Sequence, residues 1–197
     1  MPALPNAAST PAPDRRLRLH SRLLSVFFLI LFVLLTLLAI VMVGVFLLRI
    51  DSMAAMAGSG FAFNFPYETD PWSSGVVPIS HFAIWQSLLI TLMLSLRLLP
   101  GLFILWHLHV LFGLYARGSV FGAANALQVR LIAFALLAYA LVPLVTHATL
   151  YLARISTHAF AWEIRQLDAL VAGLVLLTVA RVMLFGHEIE RDREGFV

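Results

Sequence analysis

The sequence predicts an all-α membrane protein, a four-transmembrane-helix bundle with a small periplasmic cap. Three observations carry this. Of the 197 residues, 61% are hydrophobic and only 12% charged, where a soluble domain is roughly 45–50% apolar and about 25% charged. Four stretches are apolar over the ~20 residues that a helix needs to cross about 30 Å of hydrocarbon. None of the four alternates with period two, as a barrel strand does. The composition excludes a soluble globular domain and a disordered chain. The absence of cysteine excludes disulfides, iron–sulfur clusters and thiolate zinc sites.

Residues 1–20 read as a disordered cytoplasmic lead, because MPALPNAASTPAPD holds four prolines and nothing to bury. The first span covers residues 23–48, with Ser25 and Thr36 its only polar side chains. Ala55-Met56-Ala57 imitates a signal cleavage site, but an apolar run of 26 residues far exceeds the ~7–15 of a signal core. Residues 49–78 form an outer loop. Its aromatics (Phe61, Phe63, Phe65, Tyr67, Trp72), its prolines Pro66, Pro71 and Pro78, and its glycines Gly58, Gly60 and Gly75 predict an ordered loop rather than a helix.

The next apolar stretch, residues 79–115, is too long for one crossing: 37 residues rise about 55 Å as a helix. With Tyr115 and Arg117 at the cytoplasmic edge, the span takes residues 88–115. The apolar start then projects outward, where the outer loop covers it as a cap. Arg97 falls at the outer interface and snorkels; a strong tilt would place it deeper and require a partner. Pro100 predicts a kink. The third and fourth spans take residues 131–153 and 169–186. Ala169 and Gly173, four apart on the last, suit close helix packing.

Orientation follows from the arginines, which are all thirteen of the basic residues. With the N-terminus inside, Arg15, Arg16, Arg18, Arg22, Arg117, Arg130, Arg191 and Arg193 are cytoplasmic. Only Arg49, Arg154 and Arg165 lie opposite, and Arg97 and Arg181 fall within spans. Both termini are therefore expected in the cytoplasm. Arginines strung along spans do not make a nucleic-acid face, so direct nucleic-acid binding is not expected.

His107 and His109 stand about 200° apart around a helix and face opposite ways, which makes a poor metal site. A haem shared with His147 is a further alternative, although the depths disagree. Arg181 snorkels or pairs with the tail at Glu188. No acid lies in a span core; Asp51, Glu163 and Asp168 sit at edges. No catalytic constellation emerges, and neither a cofactor nor a metal is expected.

Two segments beyond the spans carry a pattern. Gly118 suits a helix C-cap, Val120 and Phe121 tuck into the interface, and the next helix begins near Gly122. Gly118, Val120, Phe121, Asn125 and Arg130 spell G-x-V-F-x-x-x-N-x-x-x-x-R. The chain then closes on A-R-V-M-x-x-G-x-E-I-x-x-D-x-E-G-F-V, which includes Glu188, Glu190, Glu194 and Phe196. Together they resemble the bacterial membrane family "domain of unknown function 2975", over residues 88–197. Gly122 departs from it, where a capping serine or threonine is expected. The resemblance implies four helices, an inner-membrane location and no established activity, with some members encoded beside a helix-turn-helix regulator.

The function expected is a non-enzymatic interaction or sensing component of the bacterial inner membrane. Its cytoplasmic partner would be a transcriptional regulator met by residues 118–130 and the tail. Beside the bilayer itself, further copies of the chain are alternative partners. The runner-up is a small transporter or permease subunit with Arg97 and the histidines lining a path; a haem protein is the third reading.

Overall fold

A computed structural model describes residues 15–58, 60–64, 75–118, 122–157 and 164–194. Side chains are described for these through Gly186, apart from Arg15, Leu17 and Arg165. Four long helices dominate: α1 (Arg15–Leu47), α2 (Ile84–Ala116), α3 (Ala123–Leu152) and α4 (Ile164–Glu194). Each contains a stretch long and apolar enough to cross a membrane: Arg18–Leu47, Ile84–Ala116, Ala123–Leu152 and Gln166–Gly186. α1 begins within the stretch read as the lead, so residues 15–20 are helical. The rest of that lead, residues 1–14, lies outside the described residues.

Each helix packs antiparallel on its neighbour in the chain. The start of α1 meets the end of α2 through stacked Phe28 and Phe112, centroids 5.5 Å apart, and through Phe32 with Trp106. α3 and α4 cross tightly at Gly173. A Cβ there would lie 3.1 Å from the Ala133 carbonyl oxygen and 3.0 Å from Leu137. α1 makes no comparable contact with α3 or α4 among the described residues. The helices thus form an open row rather than a closed four-membered bundle. Lipid is as apolar as leucine, so the helices have no hydrophobic drive to close into a ring.

Two apolar clusters hold the row at its ends. At one end Leu111 of α2, Val129 and Ile132 of α3 and Ala180 of α4 pack together. This is the turn end, where α2 passes into α3. At the other end Ile90, Met93 and Leu94 of α2 join Phe46 of α1, Leu150 of α3 and a small sheet.

The ordered loop expected between α1 and α2 contains this small sheet. Strands β1 (Ala54–Ala57), β2 (Gly60–Phe63) and β3 (Val76–Pro78) pair antiparallel in the order β2-β1-β3. Gly58 takes φ +59 between β1 and β2, the conformation that a two-residue hairpin demands. Pro78 sits on an edge strand, where its missing N–H costs no ladder bond. The central strand is nearly all alanine, and Ala54, Ala55 and Met56 are completely or almost completely buried. Among the expected cap residues, Phe65, Pro66, Tyr67, Pro71 and Trp72 lie outside the described residues.

The cap covers only one face of α2. Ile84, Trp85, Leu88, Leu92, Leu99, Phe103 and Trp106 form an exposed apolar stripe along most of the helix. At 33 residues α2 is about 50 Å long, and it runs on through Pro100, whose ring removes the donor for the Leu96 carbonyl.

The Gly173 crossing makes a direct prediction. Gly173→Ala should cost about 1–3 kcal/mol, because a backbone oxygen cannot move aside as a side chain can. Thermal unfolding in detergent should show a lower midpoint, whereas Gly44→Ala, with open space around the new Cβ, should not lower it.

Candidate functional site

The polar side chains of α2 are divided between its two flanking helices. The Ser25 hydroxyl of α1 donates to the His109 carbonyl at 3.0 Å. His109 Nδ1 in turn lies 2.9 Å from the Ser25 carbonyl and 3.0 Å from Ser25 Oγ. With the hydroxyl proton committed, Nδ1 is the donor in this clasp. Gly113 stands one turn on, and a Cβ there would come within 3.6 Å of Ser25 Oγ. His107 turns the other way: its Nδ1 lies 2.6 Å from Gln128 Oε1 of α3 and donates to it. The 200° spacing thus delivers one imidazole to each neighbour. Gln128 and Ser25 were not recognised as partners, since nothing local marks them.

Arg97, on α2, lines a half-enclosed cavity of about 250 Å³ with Tyr139 of α3 and Phe63 of β2. His147 is almost fully buried near the cap end of α3, beside the equally buried Thr146. Nineteen residues separate it from Gln128, the partner of His107, about 28 Å along the helix. His107 and His147 therefore stand at opposite depths. Gln166, at the cap end of α4, is also buried, although nothing in the local sequence marks it. Arg181 is exposed on α4, in a shallow depression with Thr178, Val182, Phe185 and Gly186. Among the described residues no group of three His, Asp or Glu side chains converges as a metal site would require.

At the turn end, Gly118 takes φ +87 and its N–H closes on the Tyr115 carbonyl at 3.0 Å, the left-handed helix stop that glycine favours. Gly122 caps α3 with its backbone alone, its carbonyl accepting from the Asn125 and Ala126 amides. Asn125 is completely buried. As a surface contact for a partner it is therefore corrected: it belongs to the inside of the turn. Arg130 is exposed. α4 continues from Gly186 to Glu194 as one helix. The side chains of Glu188, Glu190 and Glu194, and Phe121, Glu163 and Phe196 altogether, lie outside the described residues.

At the cap end a short polar clamp joins α1 to the start of α2. Arg49 closes α1 in a left-handed conformation, φ +57, which costs a non-glycine residue about 1–2 kcal/mol. Its N–H reaches the Phe46 carbonyl and the Ile50 N–H reaches the Val45 carbonyl. The guanidinium recovers the cost by donating to the Ser80 and Phe82 carbonyls at 2.7 and 2.6 Å. Arg154 closes α3 in the same way, again at φ +57, with Ile155 bonded back to Leu150. The segments Leu48-Arg49-Ile50 and Ala153-Arg154-Ile155 thus serve as equivalent stops. Asp51 accepts the Ser80 N–H at 2.8 Å. Hydrogen bonding from the Ser80 side chain is the largest influence on its carboxyl and burial partly opposes it; the Ser80 N–H and the charges of His81 and Arg49 add to the first, leaving the pKa below the ordinary value.

No family model, no curated protein and no solved structure matches the chain.

The clamp predicts an acid-sensitive cap. Because the folded carboxyl is more acidic than the unfolded one, its contribution is complete above the unfolded pKa of ~3.9. It is lost as pH falls through the lower folded value. Protection of the β3 and Ser80 amides against hydrogen exchange, relative to the intrinsic rate at each pH, should therefore fall below about pH 4. Asp51→Asn should show the faster exchange already at pH 7, and no exchange difference at pH 7 would contradict the clamp.

Proposed function

We propose that the chain is a non-enzymatic, multi-pass protein of the bacterial inner membrane that resembles "domain of unknown function 2975" and engages a cytoplasmic regulator through its turn end. The observation that carries this is the continuity of α4, which runs as one helix from the end of its candidate span at Gly186 to Glu194. That extension leaves the row at the end where α2 turns into α3, the end that also carries the exposed Arg130. An alternating acidic and basic helix of this kind is solvated, and so is free to meet a protein partner.

Placing this end in the cytoplasm follows the arginine excess, eight against three. The cap then faces the periplasm, where its acid-sensitive clamp gives it a way to respond to envelope conditions. Residues 118–130 supply the second contact through Gly118 and Arg130, while buried Asn125 shapes the turn. A helix-turn-helix regulator is the partner that the family resemblance suggests.

The geometry weighs against the alternatives. His107 and His109 engage different helices through Nδ1, so they supply no shared path for a transported ion. Nor do they stand at the depth of His147, as a haem held between helices would need.

Two measurements test the proposal. A fluorescent protein fused after Val197 should fold and fluoresce, while alkaline phosphatase at the same point should stay inactive; the reverse would overturn the orientation. Cross-linking in native membranes, with the whole chain and with a chain lacking residues 187–197, should lose a cytoplasmic protein with the tail. Recovery of the same partners from both would remove the tail from the account.

A further inference from the structure

The groove beneath the cap combines features that a packed helix interface would not retain. Its walls are Leu35, Leu38 and Met42 of α1 with Leu94, Leu98 and Leu102 of α2, and Phe63 of β2 closes one end. Only two polar side chains reach it, Arg97 and Tyr139. Its lining is otherwise apolar, and part of the space comes from Gly101: a Cβ built there meets no atom within 4 Å. A helical glycine normally costs about 1 kcal/mol relative to alanine. Here no close packing accounts for it, and what it leaves is room.

The dimensions select the kind of occupant. A volume of about 250 Å³ falls just below the ~300–1,000 Å³ of ordinary small-molecule sites, so the groove seats part of one acyl chain and leaves the rest in the bilayer. The charge selects its head. Arg97 lies thirteen residues from the start of α2, and a guanidinium within an apolar wall favours an anion, its fork matching the paired oxygens of a phosphate. Tyr139 adds a hydroxyl that can donate to the same group.

We propose that this groove binds an anionic phospholipid, one acyl chain lying along Leu35, Leu38, Leu98, Gly101 and Leu102 and the phosphate resting on Arg97 and Tyr139. Because the cavity between α1, α2 and Tyr139 of α3 is only half enclosed, a lipid enters it from the bilayer without crossing water. Phe63 ties occupancy to the cap, since its strand belongs to the sheet whose β3 leads into the Ser80 and Phe82 contacts of the clamp. The site does not depend on the identity of any cytoplasmic partner.

Native mass spectrometry of the full chain tests this, with phosphatidylglycerol and phosphatidylcholine of identical acyl chains as the probes. The wild type should retain one phosphatidylglycerol in preference to phosphatidylcholine. Gly101→Leu fills the groove without meeting a neighbour at Cβ and should reduce retention of both lipids. Arg97→Gln should reduce phosphatidylglycerol retention on the order of tenfold, the scale of one charge-assisted contact, and abolish the preference. Circular dichroism and thermal midpoints establish that each variant folds, and Gly101→Leu carries the test alone if Arg97→Gln does not. Inorganic phosphate, added in excess, should not displace the lipid; displacement would assign the site to a free anion. Equal retention of phosphatidylglycerol by wild type and Gly101→Leu would overturn the proposal. So would equal binding of both lipids by the wild type, or a lipid-free dimer in which a second chain occupies the groove.

Discussion

The structure depends on how α2 is satisfied. This helix stands between α1 and α3, and in an apolar medium its polar side chains must find partners on whichever helix they face. His109 meets Ser25 on one side and His107 meets Gln128 on the other. These contacts fix the rotation of α2 about its own axis and the depth at which each neighbour packs. Net worth is modest for any one hydrogen bond between membrane helices, about 0.6 kcal/mol, but each bond that is left unmade in hydrocarbon costs several times more. The clasps therefore act chiefly by excluding other registers.

The remaining architecture follows from that rotation. With α1 and α3 on different sides of α2, the row stays open, and a groove runs along α2 on each side of the α1 contact. One holds Arg97 and Tyr139; the other is lined by Phe103, Trp106 and Phe134. At the cap end, α1 must stop and hand the chain to α2 without leaving carbonyls unsatisfied. Arg49 does both, turning the backbone and donating to Ser80 and Phe82. The sheet then seals Phe46, Ile79 and Ile90 between helix ends.

Much of this was legible in the residues, and the gaps have physical causes. Apolar runs marked the four helices, because length and hydropathy are nearly all that hydrocarbon asks of a span. The opposed histidines were legible too, since 100° per residue sets their directions before any packing occurs. The sheet was not: Ala-Ala-Met-Ala has no β-branched or aromatic residue, and alanine is depleted in strands. Its pairing comes from burial between helices, a tertiary effect. Nor was the open row, because faces turned to lipid and faces turned to protein are equally apolar in sequence. The left-handed stop at Arg49 was hidden by chemistry: glycine is the usual signal for such a stop, and only the distant Ser80 and Phe82 carbonyls explain an arginine there. Asn125 carried a motif position that invited a partner, but complete burial gives it to the turn instead.

The central claim, that α2 is clasped from two sides in an open row, can be tested directly because the chain contains no cysteine. Single cysteine pairs can be oxidised in native membranes without background. Ser25→Cys with His109→Cys should form an intramolecular disulfide readily, and Ser25→Cys with Thr178→Cys on α4 should not. Efficient α1–α4 cross-linking within one chain, with none between positions 25 and 109, would contradict the account and indicate a closed bundle.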